Sequence, residues 1–292
     1  MIRDRVNIFI YKVSLWLIAA TLLSACSSRH ATPQADVMVS IEPLKYIVER
    51  ITTNNVRVSV LVPQGVGPET FDPTPRQIAE LNHAQATFTT GLLEFEQQIL
   101  TRMQGGNIID LSQGIELIEG SCSHSHAHGH AHAHGVDPHI WTSPVELKQM
   151  AKNCYDALQQ TYPDSTHYCG AYEQLIKDID SLHEECRQRI EKSSVKAFAI
   201  YHPALTYYAR TYNIEQIAIE AEGKEPSAKH IANIIDKAHD KAIRTLLYQV
   251  EYPRSVVDVI AKDMGIEPTE INPLASNPLQ FIKDVTSAIT AN

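Results

Sequence analysis

The 292 residues carry 34 acidic against 25 basic side chains, a formal charge of −9, without the basic clusters that would track a phosphate backbone. That balance excludes a general nucleic-acid binder and is compatible with a cationic ligand. The length exceeds what one hydrophobic core usually serves, so two lobes are expected.

The N-terminus reads as a targeting segment. Arg3, Arg5 and Lys12 precede an apolar run over residues 13–23, and Leu23-Ser24-Ala25-Cys26 closes it with small residues. About a dozen apolar residues fall short of the roughly twenty that span a bilayer. The pattern resembles a bacterial lipoprotein signal: residues 1–25 are removed, Cys26 becomes the lipidated first residue, and 26–35 form a polar tether. The expected location is the cell envelope, extracytoplasmic and lipid-anchored to the membrane. The removed segment holds three bases and one acid, so the remainder carries about −11. No second long apolar stretch follows, and the working part is expected to be soluble and monomeric.

Residues 56–62 alternate apolar and polar side chains into Pro63, as a strand does. Thr74-Pro75-Arg76-Gln77 is a capping box with Pro at the first helical position, opening a helix through Leu81. Strands are expected at 86–90 and 107–111. Ser143-Pro144-Val145-Glu146 repeats the cap, and Leu147, Met150, Cys154 and Leu158 follow at helical spacing. Over residues 166–192 apolar side chains recur at Tyr168, Tyr172, Leu175, Ile176, Ile179, Leu182, Cys186 and Ile190, predicting one helix about 40 Å long. Strand and helix then alternate: strand 195–201, helix 203–212, a Ser227-capped helix to Ala238, strand 245–250, helix 256–264, strand 268–271 and a final helix. The fold class is α/β, two lobes with mostly parallel sheets joined by one long rigid linking helix, with the site in the cleft between lobes. The expected divisions are 36–164, including a loop at 123–135, then the linking helix 165–193, then 194–292.

That loop places a histidine at every second position: His124, His126, His128, His130, His132 and His134. Imidazole is a favoured zinc ligand, and the small spacers cannot build a core, so the run reads as an accessory metal-collecting segment. Four cysteines lie outside the signal, Cys122, Cys154, Cys169 and Cys186, with no CxxC to suggest a thiolate zinc site. Cys154 and Cys169 flank the Tyr162-Pro163-Asp164 turn, a placement that suits a disulfide; an unpaired core role suits each of the four equally.

Candidate ligands recur where strands end. Glu69 follows the 56–62 strand, His139 precedes the Ser143-capped helix, His202 ends the 195–201 strand and Asn272 ends the last one. Any one alone is more often a solvated loop residue; the joint pattern points to a shared ligand.

The ordered motifs Val62-Pro63-Gln64-Gly65-Val66-Gly67-Pro68-Glu69-Thr70-Phe71-Asp72-Pro73-Thr74-Pro75, Asp137-Pro138-His139-Ile140-Trp141, Tyr201-His202-Pro203-Ala204, Glu225-Pro226-Ser227, Val250-Glu251 and Ile271-Asn272-Pro273-Leu274 closely resemble the zinc- and manganese-binding solute-binding proteins of bacterial ABC transporters, the ZnuA/TroA-like family. The resemblance covers almost all of the chain beyond the signal. It implies two α/β lobes, a linking helix, one metal ion between the lobes, and a metal ABC transporter permease as partner. The family's ligands are a His where Glu69 stands, the His of Asp-Pro-His, a third His or Glu, and a late Asp where Asn272 stands. Both departures matter. Two imidazoles and one carboxylate remain a good zinc set. Asn272 offers only a neutral carbonyl, for weak or second-shell binding, and Glu251 is a reserve carboxylate. His202 and the His-rich loop favour Zn2+ as the transported ion; Glu69 pulls modestly toward Mn2+.

Three alternatives to zinc uptake are weighed: a manganese receptor of the same family, a zinc store or adhesin in which only the His loop matters, and a zinc hydrolase using Glu69, His139 and His202 with an activated water. Catalysis is not expected, because no HExxH, GxSxG or Walker A motif is present.

Overall fold

The computed structural model describes residues 36–102, 107–119, 135–220 and 227–291. The signal and tether with Cys26, Cys122, the six loop histidines from His124 to His134, and Glu225-Pro226 lie outside the described residues.

Two four-stranded sheets, each parallel throughout, organise the described chain. In the first, β1 (Val37–Val39), β2 (Val58–Val60), β3 (Ala86–Thr89) and β4 (Ile108–Asp110) lie in the order β2-β1-β3-β4. In the second, β5 (Ala197–Ile200), β6 (Glu215–Ala218), β7 (Leu246–Gln249) and β8 (Pro268–Ile271) repeat that order as β6-β5-β7-β8. Val37 pairs with both Val58 and Ala86, and Ala199 with both Ile217 and Leu246, so β1 and β5 are interior strands. Each sheet therefore reverses its winding beside its first strand, the place where open α/β sheets leave a crevice at the strands' carboxyl ends.

The connections are helices α1 (Glu42–Thr52), α2 (Pro75–Leu81), α3 (Glu94–Arg102), α4 (Pro144–Thr161), α5 (Tyr168–Ser193), α6 (Thr206–Tyr212), α7 (Ala228–Asp240), α8 (Arg254–Met264) and α9 (Pro278–Thr290). β1, α1, α3 and β6 are additions to the expected elements. Three-residue β1 is buried throughout and so shows no alternation, while edge strand β6 buries only Ile217.

α5 is the long helix: 26 residues, about 39 Å at 1.5 Å each. It buries Tyr168, Leu175, Ile179, Leu182, Cys186 and Ile190 in one stripe and packs on α1, α4 and α9. One apolar core runs from the first sheet across α5 to Phe198, Ile200 and Leu247 of the second, where Phe281 and Ile282 of α9 join it. A separate cluster lies on the second sheet's other face, with Ile234 of α7 and Ile260 of α8. Buried hydrogen bonds reinforce this shared core. Trp141 Nε1 donates to the Pro273 carbonyl at 2.8 Å, and Thr142 Oγ1 to the Ala204 carbonyl at 3.0 Å.

The Thr74 capping box forms in both directions, and Gln77 Nε2 also reaches back to the Leu61 carbonyl at 2.8 Å. That bond fastens the base of the 62–73 loop. Ser143 departs from expectation: its hydroxyl pairs with Thr211 Oγ1 instead of capping α4, which Pro144 opens. The proposed Cys154–Cys169 pairing does not occur either. Cys154 is a free thiol in the α4 core and Cys169 a free, exposed one, because the two helices present them to opposite environments. No helix among the described residues is long and apolar enough to cross a membrane.

Candidate metal centre

Three of the expected side chains converge. Glu69 comes from the loop between β2 and α2, His139 immediately precedes the 3-10 turn Ile140–Thr142 ahead of α4, and His202 follows the carboxyl end of β5. One ligand atom from each lies within 4.8 Å of the other two. Glu69 Oε1 stands 2.8 Å from His202 Nε2 and 3.7 Å from His139 Nε2. The imidazoles are buried, at 4–5% side-chain exposure, while Glu69 is a third exposed.

Each imidazole is held from behind by a carboxylate. His139 Nδ1 is 2.8 Å from Asp137 Oδ1, and His202 Nδ1 is 2.5 Å from Glu220 Oε2. With both Nδ1 atoms engaged, both Nε2 atoms face Glu69. The Nε2 of His202 is buried and makes no aligned hydrogen bond, because Glu69 Oε1 lies close but off the line a bond needs. Gln249 clamps the His202 backbone at both groups, and Tyr252 flanks the ring and donates to Glu220 at 3.2 Å. Tyr207, buried, donates to the Asp137 carbonyl and accepts from the Ile118 amide, so both stems of the His-rich segment are fastened beside His139.

These contacts set the charges. Burial draws the His202 imidazolium down, but Glu220 and Glu69 outweigh it and raise its pKa to about 10. Burial likewise pushes the Asp137 carboxyl up; the charge and hydrogen bonds of His139, with the Thr206 hydroxyl, leave it below the ordinary value. Glu251 is raised, by burial first and by Glu69 beside it, against the opposing pull of the two histidines.

The remaining sequence candidates separate. Glu251 lines the same cavity as the trio, about 320 Å³, together with Trp141, Gln249 and Tyr252. Asn272 does not. Its Oδ1 accepts from the Leu274 amide at 2.9 Å, and the residue lines a neighbouring cavity with Glu42 and Gln64. Asp137 carries no expected role from the Asp-Pro-His motif, although its position two residues before His139 is a usable signal. Glu220 had no such signal: it lies 18 residues beyond His202, and only the pairing of β5 with β6 brings them together.

The family described as zinc-uptake complex component A, periplasmic (ZnuA), matches residues 37–291. The chain belongs to the ZnuA family. It is 28% identical over 282 residues to the "High-affinity zinc uptake system protein ZnuA" of Bacillus subtilis (strain 168), covering 89% of this chain and 88% of that one. It is 25% identical over 285 residues to the "Zinc-binding lipoprotein AdcA" of Streptococcus pneumoniae (strain ATCC BAA-255 / R6). That match covers 91% of this chain but only 56% of the relative. A crystal structure of ZnuA superposes with a TM-score of 0.79 at 32% identity, covering 88% of this chain and 98% of the other. ZnuA-family proteins are extracytoplasmic receptors that bind a metal for uptake, and the two parallel-sheet lobes described above are the family's architecture.

Proposed function

We propose that this chain captures Zn2+ outside the cytoplasm and delivers it to an ABC permease, with Glu69, His139 and His202 as ligands. The convergence of those three side chains carries the reading. Zinc bonds of about 2.0–2.1 Å to N and O put tetrahedral ligands about 3.3 Å apart. The two edges from Glu69 Oε1, 2.8 and 3.7 Å, bracket that value. Carboxylates behind both imidazoles are the arrangement that orients histidine toward a metal and raises its basicity. Two nitrogen donors and one oxygen favour zinc over manganese, which prefers oxygen. The names of the curated relatives, both zinc proteins, support the same ion.

Receptor membership supports binding without chemistry on the ligand. A lipid anchor on Cys26 is supported by the N-terminal pattern and by the lipoprotein name of one relative. The fastened stems beside His139 support an accessory collecting role for the His-rich segment; the proposal takes the chain as a monomer divided at 36–164, 165–193 and 194–292.

The test is competitive zinc and manganese titration of the chain with and without residues 123–135. One tight zinc site that survives the deletion and is lost in His139→Ala and His202→Ala is expected. Preference for manganese would reverse the ion; loss of all tight binding on deletion would move the site to the loop.

A further inference from the structure

We propose that Glu251 is a fourth ligand to the ion held by Glu69, His139 and His202, an inference that rests on the metal-site reading above. The two sheets have the same strand order, so each has a crevice beside its first strand, between β1 and β3 and between β5 and β7. The chain fills the first crevice itself. There the buried Glu96 carboxylate accepts the amides of Thr90, Leu92 and Leu93 and the Thr90 hydroxyl. At the second crevice, β5 runs out into His202 and β7 into Glu251, and both side chains line the cavity that holds Glu69 and His139.

Three ligands leave a tetrahedral zinc ion one position short. The other side-chain oxygens at the cavity are mostly committed. Gln249 is bound to both backbone groups of His202, and the Tyr252 hydroxyl donates to Glu220. Thr70 offers a neutral hydroxyl, and Asn272 is turned to the Leu274 amide outside this cavity. Glu251 is different. Its carboxylate is held only locally, by its own backbone amide, and no side chain among the described residues is paired with it. Its Cγ sits 3.8 Å from the point a Cβ on Gly67 would occupy, so it packs on the loop that carries Glu69. Its charge couples to those of His202, Glu69 and His139. Its carboxylate stands outside the trio whose ligand atoms lie within 4.8 Å of one another, so ligation requires the side chain to swing within the shared cavity, giving two nitrogen and two oxygen donors.

The experiment compares zinc affinity and zinc-edge X-ray absorption for the full chain, Glu251→Gln, Glu251→Asp, Asn272→Ala and His139→Ala, with zinc-free melting temperature as the folding control. Glu251→Gln should weaken zinc at least about tenfold and change the zinc-edge spectrum as water or amide oxygen replaces carboxylate, with the Asp variant intermediate and Asn272→Ala unchanged. If both Glu251 variants keep wild-type affinity and spectrum while His139→Ala loses binding, Glu251 is no ligand and the three-residue site stands. If His139→Ala also binds as wild type, the site reading itself falls and this inference with it. Should Glu251→Gln fail to fold, the Asp variant decides alone: wild-type affinity and coordination in it overturn the assignment.

Discussion

Zinc binding near neutral pH is expected to release one proton, and that proton comes from His202. Without metal, the imidazole lies between Glu220, 2.5 Å from Nδ1, and Glu69, 2.8 Å from Nε2. Burial draws its pKa down, the two carboxylates prevail, and the result is about 10. The Nδ1 proton stays with Glu220; the Nε2 proton is the one zinc replaces. At pH 7.5 displacing it costs roughly 3.5 kcal/mol, from about 2.5 pKa units at about 1.4 kcal/mol each. Apparent zinc affinity should therefore weaken about tenfold for each unit of pH lowered between 9 and 7. Calorimetric titration at pH 7.5 in buffers of different ionisation enthalpy counts the protons directly. Glu220→Gln removes the nearer carboxylate, so fewer protons should be released and the pH slope should flatten. At pH 9 proton competition still costs the wild type about tenfold, so the variant's loss of its orienting partner should appear there as a net weakening of up to about tenfold. Constant wild-type affinity from pH 7 to 9 with no proton released would refute the reasoning, since His202 would then be neutral before zinc arrives. The same shift has a stability consequence. A pKa raised from 6.5 in the folded state gives stability that is complete below 6.5 and lost as pH rises through about 10, so zinc-free melting temperature should fall over that window.

Asp137→Asn should leave the fold intact yet weaken zinc about 10- to 100-fold, because it removes the carboxylate behind His139; a chelator-competition titration with wild-type affinity would contradict this. Trp141→Phe deletes the donor to the buried Pro273 carbonyl and should cost about 1–3 kcal/mol in urea unfolding, with an unchanged midpoint counting against a lobe-to-lobe role for that bond. Leu175→Ala opens a cavity in the buried stripe of α5 and should cost about 2–5 kcal/mol by the same measurement; a loss below 1 kcal/mol would show that the core there collapses freely.

Much of the architecture was legible because it rests on local signals. The recurrence of apolar residues from Tyr168 to Ile190 is a helical period, and α5 forms over it within two residues. The Thr74 box forms as read because its two hydrogen bonds close within four residues, whereas at Ser143 the Thr211 hydroxyl, distant in sequence, takes the capping side chain. β1 and β6 carried no such signal: one is buried on every residue and the other is a nearly exposed edge. For the site, Glu69, His139 and His202 were recognisable as residues at the ends of elements within quoted motifs. Their partners were less so, because nothing local distinguishes Glu220 from other surface acids.

Chain-local chemistry thus determined the alternation of strand and helix, the long link and the identity of the convergent side chains. Tertiary structure alone decided which nitrogen of His202 faces the cleft, because that depends on Glu220 standing behind it, brought there by the β5–β6 pairing. It also decided that Asn272 turns to its own loop while Glu251 faces the cavity. The physical reason is the same in both cases. A hydrogen bond within a turn is set by residues two to four apart, whereas the direction of a side chain in a cleft is set by strands that pair across the sequence.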